Sequence, residues 1–273
     1  MADVALAGET QAPPGTAVVG QWARSQRVLG PIATLALLLC AWEFLVRIED
    51  VPPALLPPPS LILFKLVHLY PLLIANVGQT SLEMLVAFGL SCVIGIMLGM
   101  ALAYSKFLSD CLYPNLIFLQ IVPKIAVAPL FVAWLGIHSQ SRIGFAIFLS
   151  FFPVFIATYS GLRQVDQDAV RLCRSFRAPE WRVLFRLRLP YALPYLFGGM
   201  KITATLAVIG IVVGEFIASQ GGLGYLILFA SAQQQTDVSM AAIFCLGVVG
   251  LALYGAVAIA EYLVNRRLGF LES

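Results

Sequence analysis

The sequence holds 273 residues, of which 60% are hydrophobic and 11% charged, against about 25% charged in ordinary soluble domains. That composition excludes a soluble globular enzyme and predicts an integral membrane protein with one membrane domain. The formal net charge is +3, so the position of the basic residues says more than their sum, because lysine and arginine gather in cytoplasmic loops.

Residues 1–22 are rich in Gly, Pro and Ala and have no basic stretch ahead of an apolar run. They predict a disordered cytoplasmic tail rather than a cleavable signal peptide, and residues 23–273 read as a single transmembrane domain. Arg24 and Arg27 precede a first apolar run from Val28 to Ile48, long enough to cross a bilayer. Arg47, Glu49 and Asp50 mark its outer end. Val51-Pro52-Pro53 and Pro57-Pro58-Pro59 cannot be helical and predict an extended external connection. Ser60 is placed to cap a short interfacial helix from Leu61 to Leu69. Span two runs from Thr80 to Tyr104, and its Gly89, Gly95 and Gly99 are small residues that allow close helix packing. Glu83 lies inside it. An intramembrane carboxylate is a candidate for the substrate path; the alternative is a paired or hydrated group near the outer boundary.

Lys106 marks a cytoplasmic turn. Span three, Leu112 to Trp134, is interrupted by Pro114, Pro123 and Pro129 and carries Lys124 mid-run. A broken backbone is tolerated in a membrane where it lines a cavity or packs on protein. The span therefore reads as bordering the substrate path, with snorkelling or structural pairing as the alternative for Lys124. After an outer turn, Gly136 to Ser141, span four covers Ile143 to Leu162. Span five covers Leu189 to Gly214, with Lys201 in its cytoplasmic half and Glu215 closing its outer end. Gly221-Gly222-x-Gly224 predicts a flexible turn and Tyr225 to Ala232 a re-entrant or interfacial helix. The glycine run lacks a following G-K-[S/T], so it is no phosphate loop. Span six is Met240 to Val264, anchored inside by Arg266 and Arg267. The basic residues then favour six spans with both termini cytoplasmic. Five cysteines show no paired or metal-binding spacing, and two histidines argue against a His-ligated metal.

Between spans four and five lies the most polar block. Seven of the chain's 17 basic residues fall between Arg163 and Arg188, against Asp166, Asp168 and Glu180. Val165, Ala169, Leu172, Cys173 and Phe176 form one apolar stripe at helical spacing, with Arg163, Arg171 and Arg174 opposite. Pro179 suits the first turn of a second short helix, whose apolar edge is Trp181, Leu184 and Phe185. Pro190 and Pro194 start or bend the next segment. Two short amphipathic helices at a membrane surface suit docking into another protein's groove.

The order Val165-Asp166, Cys173-Arg174-Ser175-Phe176-Arg177-Ala178-Pro179, Trp181 and Leu189-Pro190-Tyr191-Ala192-Leu193-Pro194 resembles the cytoplasmic loop of binding-protein-dependent ABC importer permeases. Val122-Pro123-Lys124-Ile125-Ala126-Val127-Ala128-Pro129-Leu130, and Gly214-Glu215-Phe216 followed by Gly221 to Ile227, are similar to segments of the sulfonate, nitrate and thiamine-precursor branch. The likeness covers roughly residues 75 to 267 and implies an all-α type I importer permease. Such a fold has about six transmembrane helices and a pair of coupling helices, here residues 163–188, between spans four and five. It implies a bacterial inner-membrane location, a homodimer of permeases, a periplasmic or lipoprotein substrate-binding protein, and a separate ATPase that binds ATP and Mg. The chain itself would hold no cofactor and bind no nucleic acid.

The loop residues carried over as ATPase-coupling are Val165, Asp166, Ala169, Leu172, Cys173, Phe176, Ala178, Trp181 and Pro190. The path candidates are Lys124, Glu83, Glu215 and Lys201. Two departures stand out: Arg171 where the family usually has Glu, and Arg177 where it has Gly. Gly permits a left-handed turn residue at no steric cost, so the turn is built differently here or is mildly strained. Lys124 and Lys201 favour a small organic anion, such as a sulfonate or aromatic carboxylate, with a thiamine-type pyrimidine precursor as the alternative. An ion-coupled secondary transporter would set acids mid-membrane and show inverted repeats, whereas Glu43, Glu83 and Glu215 all lie towards outer ends.

Overall fold

The computed structural model describes the backbone of residues 16–267 and the side chains of residues 30–267. Every element in that range is helical. The chain divides into two compact units, residues 1–61 and 62–273.

The first unit is built on α1 (Thr16–Ile48). Residues 1–15 of the expected tail lie outside the described residues; from Thr16 the backbone is already helical. The apolar side chains of α1 point outward, with Leu35, Leu37 and Leu38 each more than half exposed, a surface suited to lipid. Pro59 opens α2 (Pro59–His68), because a proline at the first helical position forfeits no hydrogen bond. Ser60 therefore lies within the first turn instead of capping it. Its amide and hydroxyl both donate to Glu43, at 3.0 and 2.8 Å, and Arg47 closes on the same carboxylate at 2.5 Å. Glu43 thus supplies the negative charge that a helix N-terminus favours.

In the second unit, α3 (Tyr70–Tyr104) is 35 residues long, starting ten residues before the predicted span. Pro71 opens it, and nothing helix-breaking separates it from Thr80. Span three is a bent pair. α4 (Lys106–Ile121) leads through a 3-10 turn (Lys124–Val127) into α5 (Ala128–Leu135), and the two arms meet at 89°. The break falls at Val122-Pro123, while Pro114 stays inside α4 and Pro129 sits in the first turn of α5. α6 (Ser139–Arg163), α7 (Gln167–Ser175) and α8 (Glu180–Val183) follow. The second short helix of the loop does not stand alone as expected. One π turn, Leu184–Arg188, joins α8 to α9 (Leu189–Ala218), so Pro190 falls in a first turn and Pro194 inside the helix. α10 (Leu223–Ala232) and α11 (Thr236–Arg267) complete the described residues. Among the described residues five helices are long and apolar enough to cross a membrane, and the bent pair makes six. The all-α membrane architecture read from the sequence is the one observed.

α6 is the central pillar, with α3 and α9 packed along it and Phe145, Phe152 and Phe155 fully buried. Small residues set the spacing. A Cβ on Gly99 would lie 2.9 Å from the Phe155 carbonyl oxygen, and one on Gly210 would lie 2.6 Å from the Ala146 Cα, so larger residues would force the helices apart. Gly89, grouped with Gly95 and Gly99 on sequence grounds, faces open space instead.

Candidate functional site

A buried polar network lies near the start of α6. Arg142 donates from Nε to Glu83 of α3 at 2.8 Å and from Nη2 to the other carboxylate oxygen. It also reaches the Ala218 carbonyl at the end of α9, at 2.9 Å, and the Ser139 hydroxyl at 3.0 Å. Both side chains of the pair are 6% exposed. A bidentate arginine–carboxylate fork is the geometry in which such a buried pair offsets its own desolvation. Alongside it, Glu215 accepts from the Thr80 hydroxyl at 2.7 Å and from the Gly224 amide at 2.6 Å. Thr80 in turn accepts from the Leu223 amide, and Asn76 accepts from Gly222, both at 2.8 Å. Gly222 has φ +96°, and a Cβ there would come within 2.5 Å of the Glu215 carboxyl carbon. The glycine turn is glycine for both reasons.

Glu83 and Glu215, two of the path candidates, are therefore committed to protein partners that tie α3, α6, α9 and the glycine turn together. Beside them opens a polar cavity of about 820 Å³ lined by Gln79, His138, Gln140, Arg142, Ser219 and Gln220. Sequence reading missed Arg142 as the partner of Glu83. A signal existed: Glu83 lies 21 residues before the end of α3 at Tyr104, and Arg142 lies 21 before the end of α6 at Arg163. The two thus sit at one depth on neighbouring helices.

Lys124 sits in the 3-10 turn at the break of span three, half-buried, with its Nζ 4.6 Å from the Phe152 ring centroid. Among the described residues no carboxylate pairs with it. Lys201 is different, because it forms an ion pair with Glu261 of α11. The four path candidates do not converge: Glu83 and Glu215 share the network, while Lys124 and Lys201 stand apart from it on separate contacts.

The loop of α7 and α8 is built around its own small core. Asp166 caps α7, accepting from the Asp168 amide at 2.9 Å. Val165, Val170 and Val183 are buried together, with Cys173, Ala178 and Leu187 against them. α7 ends in a Schellman motif, in which the Ala178 amide bonds to the Cys173 carbonyl at 3.1 Å and the Arg177 amide to the Arg174 carbonyl at 2.8 Å. Arg177 takes the left-handed position at φ +54°, where glycine is usual; the turn is built in the ordinary way with a strained residue.

The predicted stripe splits. Val165 and Cys173 turn inward to Val170, which the sequence reading left out, and Ala169 is half-buried. Leu172 and Phe176 are 60% and 78% exposed, joined by Trp181 at 58%. The tight Val165-Asp166 entry and the Schellman turn rotate α7 so that one edge of the stripe faces the chain and the other faces out. Pro190 is half-buried in the first turn of α9.

Residues 91–269 match the model of the binding-protein-dependent transport system inner membrane component family. The chain belongs to that family. It is 33% identical over 240 residues to a probable ABC transporter permease protein of Haemophilus influenzae, covering 88% of this chain and 97% of that one. It is 31% identical over 235 residues to the formylaminopyrimidine transport permease protein of Halalkalibacterium halodurans, covering 86% and 94%. It is also 31% identical over 217 residues to a putative aliphatic sulfonates transport permease protein of Bacillus subtilis, covering 79% of each. As a permease of this family, the chain is the membrane component of an importer for small solutes. The ends of its helices gain meaning from that: the broken span and the polar cavity belong to a transport protein, and the loop with outward apolar side chains belongs to a protein that works with other subunits.

Proposed function

We propose that this permease forms the translocation path for a small organic anion and is driven by a separate ATPase docked on the α7–α8 loop. The observation that carries the coupling part is the outward edge of Leu172, Phe176 and Trp181. Large apolar side chains held outside their own core on a rigid, capped helix are suited to burial in a partner's groove. The ATPase binds ATP and Mg and hydrolyses the nucleotide, an external binding protein delivers the solute, and two copies of the permease enclose the path. The loop and both termini are on the cytoplasmic side, in a bacterial inner membrane.

Lys124 supports an anionic solute, since it is a cation at a backbone break with no ion-pair partner among the described residues. Lys201 no longer contributes to that argument, because Glu261 neutralises it. A second reading, a pyrimidine of the thiamine-precursor type, draws on the relative named for formylaminopyrimidine.

Uptake by proteoliposomes holding the permease, its ATPase and its binding protein tests both. An alkyl sulfonate drives ATP-dependent uptake under the first reading and formylaminopyrimidine under the second. Under the first, Lys124→Ala lowers uptake about tenfold, the size of one charged hydrogen bond, while the complex still assembles. Unchanged uptake by an assembled Lys124→Ala complex removes Lys124 from the path.

A further inference from the structure

Between the end of α3, the start of α4, the end of α6 and the π turn before α9 lies a second cavity, of about 320 Å³. Four cations line it, Lys106, Arg163, Arg174 and Arg188, with Asp110 the one acid. Carboxylates do not hold this cluster together. Arg174 pairs with Glu180 at 2.9 Å, on an exposed edge. Arg163 donates to the uncharged hydroxyl of Tyr159. Arg188 lies 5.1 Å from the Tyr104 ring centroid, and its Nε is buried with no hydrogen-bond partner. Among the described residues no ion pair engages Lys106, Arg163 or Arg188.

Like charges gathered in one cavity repel, and a buried N–H without an acceptor costs its full desolvation. Guanidinium and ammonium donors in excess over acids are the chemistry that holds phosphate oxygens. The volume matches a small polar group, at the low end of ligand pockets. The place is informative too. The cavity opens where apolar spans end: Tyr104, 42% exposed, lines it, and Phe107, 76% exposed, follows the lining Lys106 in the chain. Basic residues at that level attract anionic lipid headgroups.

We propose that this cavity binds a phosphate-bearing anion, with an anionic phospholipid headgroup as its source and the acyl chains lying along Phe107. The shared chemistry is a phosphate oxyanion, which free phosphate would also supply. Arg174 belongs to α7 and Arg188 to the π turn, so an occupied site ties the loop to the ends of α3 and α6. The inference does not depend on which solute the permease carries.

Native mass spectrometry of the full chain, titrated with phosphatidylglycerol, phosphatidylcholine or inorganic phosphate, reads the site. Phosphatidylglycerol binds about tenfold tighter than phosphatidylcholine, and Lys106→Gln and Arg188→Gln each cut that affinity about tenfold. Arg171→Gln, on the exposed face of α7, leaves it unchanged. Millimolar phosphate that fails to displace the lipid assigns the lipid as source; displacement assigns the free anion. Lys106 is exposed, so Lys106→Gln carries the test where the Arg188 variant does not assemble. The site is refuted if neither phosphatidylglycerol nor phosphate binds in a way that these variants weaken.

Discussion

At Arg142 a buried side chain, 6% exposed, sits with Glu83 on one side and the Ala218 carbonyl on the other. Removing one member of such a pair leaves a buried charge without compensation, at a cost of about 3–5 kcal/mol. Arg142→Gln should therefore lower the thermal unfolding temperature of the purified protein sharply. Glu83→Gln/Arg142→Gln should recover much of the loss, since two neutral amides can still hydrogen-bond. A single substitution without thermal effect would mean that the pair is not buried in the folded protein. In sequence Glu83 reads either as a path group or as a paired acid near the outer boundary, and its partner is Arg142. A lone acid in an apolar run looks like a functional group, and only the register between α3 and α6 reveals its partner.

α7 carries its instruction at both ends: Asp166 caps the start and the Schellman turn closes the finish. The cost of the left-handed residue is specific to Arg177, at about 1–2 kcal/mol for a side chain with a Cβ. Arg177→Gly should therefore raise the unfolding temperature of the loop region or leave it unchanged, as read by hydrogen exchange of the α7 amides. Faster exchange would mean that the arginine side chain holds the turn by contacts of its own. This element was largely legible in the sequence, because caps, prolines and periodicity are local signals. The orientation of the stripe was not. Val165 lies before the helix and Val170 lies off the i, i+4 row, and both turn inward because Val183, from beyond the turn, packs on them. The same limit applies to the π turn at Leu184–Arg188, where tertiary packing carries α8 straight into α9 past Pro190.

At the scale of the whole molecule, hydropathy and charge sufficed for the membrane class and the number of spans, since a bilayer demands long apolar helices whatever their packing. The break of span three followed from its prolines, although only one of three, Pro123, marks the bend. Orientation is open to direct measurement. In a background without native cysteines, an impermeant thiol reagent applied to sealed cells should label cysteines introduced at Glu49 and Ser219 but not at Gln167. Labelling at 167 would reverse the arrangement of the loop.

The coupling claim rests on Phe176, which is 78% exposed and the largest side chain on the outer edge of α7. Truncating a central aromatic anchor costs about 2 kcal/mol or more, roughly a 30-fold loss of affinity. The decisive measurement is the affinity of the ATP-binding subunit for permease in proteoliposomes, with Phe176→Ala against the unaltered chain and solute uptake followed in parallel. A loss of about 30-fold in ATPase affinity and of ATP-driven uptake is expected, with the permease still folded and inserted. Equal ATPase recovery and equal uptake with Phe176→Ala would contradict the coupling claim.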